Sequence, residues 1–90
     1  MLTRYWIEFK YDKPSDLPYG FCNGCGITAF DFNDALKIIQ EKIFKNASIP
    51  ELKAKTENID IRTLDAGHVL PNMLSPDKRG VWFPMGFQDN

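Results

Sequence analysis

The chain is poor in the residues on which catalysis and metal binding usually rest. It has two cysteines and a single histidine. A structural zinc site closes with four ligands, commonly Cys and His, so this supply stops one donor short. There is no Gly-x-Ser-x-Gly elbow and no phosphate-cradling glycine loop running into a lysine. Positive charge is not in excess either. Eleven Lys and Arg face twelve Asp and Glu, for a net charge of −1. A protein held on nucleic acid by phosphate neutralisation usually carries a clear basic surplus, so a nucleic-acid partner is not expected. No apolar run approaches the roughly 20 residues of a membrane span, and none near Met1 has the apolar core of a signal peptide. A cytoplasmic, non-membrane protein with reduced thiols is the expectation. Neither internal repeats nor linker-like stretches divide the sequence, so residues 1–90 are expected to form one domain.

What the chain does have is aromatic residues: seven Phe, three Tyr and two Trp, 13% of the sequence. Large rings bury much area per residue, which suits a small core, and they also anchor interfaces.

Hydrophobic periodicity lays out the elements. Over Leu2 to Tyr11, Tyr5, Ile7, Phe9 and Tyr11 alternate with Arg4, Trp6, Glu8 and Lys10, the period of a half-buried strand. Two prolines and polar turn formers make 12–20 a loop. Gly26 to Phe30 reads as a second short strand. Asp31 can cap a helix, and Phe32, Ala35, Leu36, Ile39 and Ile43 form an apolar stripe at helical spacing. The helix is expected over 32–45, with Asn46 as C-cap. Ser48 to Glu51 has the makings of one further helical turn, or the chain simply runs extended from Glu51 to Lys55. Ile59 to Arg62 reads as a third strand, and Gly80 to Phe83 as a fourth that Pro84 ends. The expected fold is α+β: one main helix on a small, mainly antiparallel sheet of three or four strands, in the order β-β-α-β-β.

Both cysteines lie in Phe21-Cys22-Asn23-Gly24-Cys25-Gly26. Cys-x-x-Cys-Gly has the form of a zinc knuckle. Cys22, Cys25 and His68 are the available donors, and a fourth would come from a carboxylate such as Asp65 or from a second chain. A thioredoxin-type redox pair belongs at a helix start, which lowers a thiol pKa. Here a strand intervenes between Cys25 and the helix. The plainer reading makes Cys25 a small buried residue and Cys22 part of a turn. Cys25 with His68 and Asp65 is also a conceivable nucleophile set, although ninety residues leave little wall for a cleft. No cofactor is expected, zinc being the one candidate.

The tryptophans are out of phase with the core residues of their strands. If the helix covers Ile7, Phe9, Val81 and Phe83, then Trp6 and Trp82 point to the other face. That face is either open, with Arg4, Glu8 and Lys10 around an aromatic centre in the manner of a protein interface, or covered by 64–80 through Leu70, Met73 and Leu74. In size, aromatic-rich sheet and lack of a catalytic motif, the chain looks like many small bacterial immunity and inhibitor proteins. That resemblance is one of type and carries no shared motif. The reading is a non-enzymatic protein-binding module that neutralises a toxin-like or other partner protein by steric blockage. The alternatives are a zinc domain and a small Cys/His enzyme.

Overall fold

Alternation at the start of the chain becomes strand β1, Thr3–Phe9, with Tyr5, Ile7 and Phe9 buried on one face. The computed structural model describes every residue except 14, 16, 18–20, 46 and 86–90, and the side chain of Cys22. Four further elements follow: β2 (Cys25–Ala29), α1 (Phe32–Lys42), β3 (Leu52–Glu57) and β4 (Gly80–Phe83). The expected β-β-α-β-β sequence of elements therefore forms, as a helix on a four-stranded sheet ordered β3-β1-β2-β4. All three pairings are antiparallel.

The helix starts where the sequence puts it. Asp31 is extended, and its side chain accepts the Asp34 amide at 2.7 Å. Asp34 in turn accepts the amide of Phe30 at 3.0 Å. The first bond satisfies an amide that the first turn cannot pair internally, and the second ties the residue before the cap to that turn. The helix is shorter than expected. It ends at Lys42 with Ile43 as the cap residue, and Lys45 already has a φ of 49°. The expected cap, Asn46, lies outside the described residues. Ala35, Ile38, Ile39 and Ile43 are buried against Ile7, Cys25, Ile27 and Val81. Leu36, expected in that stripe, is only half-buried.

The third strand departs from expectation. It runs through Leu52–Glu57, where the alternative extended segment was placed, and no helical turn forms at 48–51. Ile59 to Arg62 is not a strand. Asp60 accepts the Arg62 amide and opens a 3-10 turn at Ile61–Thr63. A local side-chain bond of this kind competes with a sheet ladder and wins where no neighbouring strand stands ready.

A second correction concerns β4. Its register on β2 shifts between Gly26 and Ile27, so that Val81 pairs with Ile27 while Phe83 pairs with Gly26. An extra residue in one strand turns the following side chains over. Val81 thus stays in the helix-side core, and both Trp82 and Phe83 join Trp6 on the opposite face.

Candidate functional site

The face of the sheet away from α1 holds the second core, and the glycines of the cysteine motif build its floor. Trp6 pairs with Gly26 in the β1–β2 ladder. Gly24, at φ +116°, lies beneath the Trp6 ring, and a Cβ placed there would be 2.4 Å from it. A Cβ on Gly26 would lie 2.4 Å from the Trp82 ring. Each indole therefore stacks on bare backbone that no other residue type supplies. The Trp6 ring centroid lies 6.0 Å from that of Trp82 and 5.6 Å from that of Phe83.

The segment 59–76 closes over these rings. Val69 is fully buried on them, with Ile59, Ile61, Leu64 and Met73 partly buried alongside. The Leu74 amide donates to the Trp82 carbonyl at 2.8 Å, and the buried Thr28 hydroxyl donates to the Pro76 carbonyl at 2.6 Å. Trp6 and Trp82 are left 8% and 1% exposed. As placed, they are core residues and offer no open surface to a partner. Of the covering residues named from sequence, Met73 packs there, while Leu74 is exposed. Among the described residues, Trp82 Nε1 is the one buried side-chain nitrogen or oxygen without a hydrogen-bond partner, a cost of about 1–3 kcal/mol carried by the apolar contacts around it. Of the charged residues expected around an open tryptophan patch, Arg4 is exposed, Glu8 is half-buried, and Lys10 bonds Glu51 at 3.0 Å in an exposed pair.

Among the described residues, Cys25 and His68 are not brought together. Cys25 is fully buried in the helix-side core, where loss of hydration raises its thiol pKa. A thiol held protonated is a poor nucleophile and a poor metal ligand. His68 lies on the other side of the sheet, in the exposed turn before Val69. There Asp65 accepts the Gly67 amide at 2.7 Å and meets His68 Nδ1 at 3.0 Å. The His68 hydrogen bond is the main cause that lowers the Asp65 pKa. Cys22 presents no described side chain. Among the described residues, no three His, Cys, Asp or Glu side chains gather as a metal site.

The covered face does not stay covered to its end. Extending the β1–β2 register by one residue sets Leu2 across from Phe30, on the same face as Arg4 and Trp6. Phe30 is 61% exposed, and Leu2 is exposed as well. The guanidinium of Arg79 lies 5.7 Å from the Phe30 ring centroid and grips Asp34 through two hydrogen bonds. That grip is the first cause of an Asp34 pKa lowered to about 2. An exposed aromatic ring, Leu2 across from it and an arginine held by Asp34 thus lie at one end of the sheet.

No protein-family model, curated protein or solved structure matches the chain. The site is therefore read from its own geometry. Among the described residues, no helix is long and apolar enough to cross a membrane.

Sequence reasoning turned Trp6 and Trp82 to the face away from the helix, where both lie, and did not single out Phe30 or Arg79. The available signal was Phe30 itself, which continues the Gly26, Thr28 alternation onto the tryptophan face and is followed at once by the helix cap Asp31. A turn at that point leaves little chain to cover the ring. Arg79 had no comparable signal, because its approach to Asp34 spans 45 residues.

Proposed function

We propose that the protein is a small protein-binding module that acts as an inhibitor, by lying over a functional surface of another protein. The observation that carries this reading is the exposed Phe30 with Leu2 across from it and Arg79 held beside it by Asp34. Aromatic and arginine side chains dominate the binding energy of protein interfaces, and pre-ordered ones lose least freedom on binding. The rigid sheet behind the ring favours steric blockage, since little of the binding energy is spent on ordering the binder. The buried tryptophan core supports the same reading indirectly, by fixing the face on which Phe30 stands.

The test compares the wild-type chain with Phe30→Asp as bait in lysate from the source cell. Phe30 is outside both cores, so the variant should unfold within a few degrees of wild type. A partner retained by wild type should be lost from the variant, and its own activity should fall on titration with about one equivalent of wild-type chain. A retained partner that binds Phe30→Asp equally well would sink the assignment of the surface. A partner whose activity is unchanged at saturation would sink the inhibitory mechanism.

A further inference from the structure

The two edges of the sheet are treated differently. At β4 the outer side is met by the chain itself, through the Leu74 amide on the Trp82 carbonyl. At β3 no comparable bond is made among the described residues. Its one neighbour among the described strands is β1, and its flanking bonds go the same way: Lys10 amide to Glu51 carbonyl at 2.8 Å, Ile59 amide to Arg4 carbonyl at 3.3 Å. Residues Lys53 to Glu57 are exposed, on both faces of the strand. A strand open at its edge is a template for another strand, although on the helix side Lys55 Nζ lies 4.1 Å from the Phe32 ring centroid. Lysines at 53 and 55 guard it against indiscriminate pairing, and so restrict which strand fits.

We infer that β3 pairs antiparallel with β3 of a second copy of this chain, about a two-fold axis at Thr56. The charges select that register. With the axis at Thr56, Lys55 of each copy lies across from Glu57 of the other, twice over, and Thr56 faces Thr56. With the axis at Lys55, Lys53 of each copy also faces Glu57 of the other, but the two Lys55 ammonium groups oppose each other directly at the centre. Opposite charges in facing positions stabilise a strand pair and like charges destabilise it. Within one chain Lys55 and Glu57 are already side by side, 3.5 Å apart on the same face of the strand. Two-fold pairing therefore makes a four-membered alternating cluster of charges. The interface is isologous and closes at two copies, giving one continuous antiparallel sheet. Because β3 ends at Glu57 and Asn58 has a φ of 54°, the regular overlap in this register is residues 55–57, below the area of a tight interface, so association is weak and concentration-dependent. None of these residues belongs to the Phe30 patch, which remains free in the pair.

Sedimentation equilibrium of the wild-type chain over roughly 10 μM to 1 mM, a range suited to a weak interface, should show a monomer–dimer equilibrium. Exchange of β3 amides should slow as the dimer fills. Lys55→Glu sets carboxylates opposite one another at both positions, and Glu57→Lys sets ammonium groups there. Each variant should weaken association by about tenfold or more. An equimolar mixture of the two variants restores opposite charges at both positions and should dimerise as wild type does. So should the chain carrying both substitutions. Circular dichroism and melting of each variant establish that the monomer is folded. If one single variant fails to fold, the double substitution and the concentration dependence of the wild type still decide. A wild-type chain that remains monomeric throughout overturns the proposal, as does a mixture that associates no better than its folded components.

Discussion

Cys25 shows how far a residue's chemistry depends on its place in the fold. In sequence it is half of a Cys-x-x-Cys-Gly motif. In the structure it pairs with Ile7 across β1 and β2 and is buried under α1. Burial penalises the thiolate and raises the pKa of the thiol. Alkylation and disulfide exchange both need the thiolate in contact with the reagent, so modification of Cys25 must wait for the sheet to open. In a Cys22→Ser background, labelling of the remaining thiol by an aromatic disulfide reagent should be slower than in the unfolded chain by about a thousandfold or more. It should accelerate with denaturant in parallel with global unfolding. Labelling within seconds under native conditions would place the thiol at the surface.

At the scale of elements, the glycines of the same motif matter more than its thiols. Gly24 and Gly26, two positions apart, form the floor on which Trp6 and Trp82 lie, whereas the cysteines stand three positions apart, a spacing that does not keep to one sheet face. Gly26→Ala drives a methyl into the Trp82 ring and should cost about 1–3 kcal/mol, as overpacking of a tight core does. If ring contact is the cause, Trp82→Leu should relieve it. In a double-mutant cycle by urea denaturation, the two substitutions together should be less destabilising than their sum by at least about 1 kcal/mol. Additive losses would mean that Gly26 serves backbone conformation instead. The strands and helix with strong local signals were legible in sequence: the alternation of β1, the Asp31 cap, and Pro84 after β4. Three features were legible only as alternatives or not at all. The β4 bulge that moves Phe83 across the sheet has no local signature, because it adjusts to the rings of Trp6 and Trp82. β3 carries a charged, weakly apolar sequence and depends on β1 for its ladder. The covering segment is decided by Ile59, Ile61, Leu64, Val69 and Met73 acting together, and their spacing matches neither helix nor strand.

At the scale of the whole molecule, one ion pair ties the beginning of the helix to the entrance of the last strand. Asp34 caps Phe30 through one oxygen, and both its oxygens accept from Arg79, next to Gly80 of β4. The contact closes a loop of 45 residues, so its loss is felt by α1, by β4 and by the Phe30 surface between them. The Asp34 side chain is only 16% exposed, which limits screening by solvent. Its pKa in the folded chain, about 2, lies below the value of about 3.9 for an unfolded aspartate. The folded state therefore binds the Asp34 proton less readily than the unfolded state does. The stability linked to this carboxylate is present above about pH 4 and is lost progressively as pH falls towards 2. Asp60, with a pKa also near 2 through its bonds to Arg62, and Asp65 titrate in the same direction, so wild-type acid unfolding alone does not isolate Asp34. The difference between wild type and Asp34→Ala does. Loss of a helix-start acceptor and of the ion pair should destabilise the variant by about 1–2 kcal/mol at pH 7. That gap should shrink between pH 4 and pH 2, because the wild-type advantage disappears there. A gap of constant size across this range would show that Asp34 contributes as a neutral acceptor. Binding through the Phe30 patch should weaken in Asp34→Ala at pH 7 as well, since Arg79 then loses the partner that holds it beside the ring.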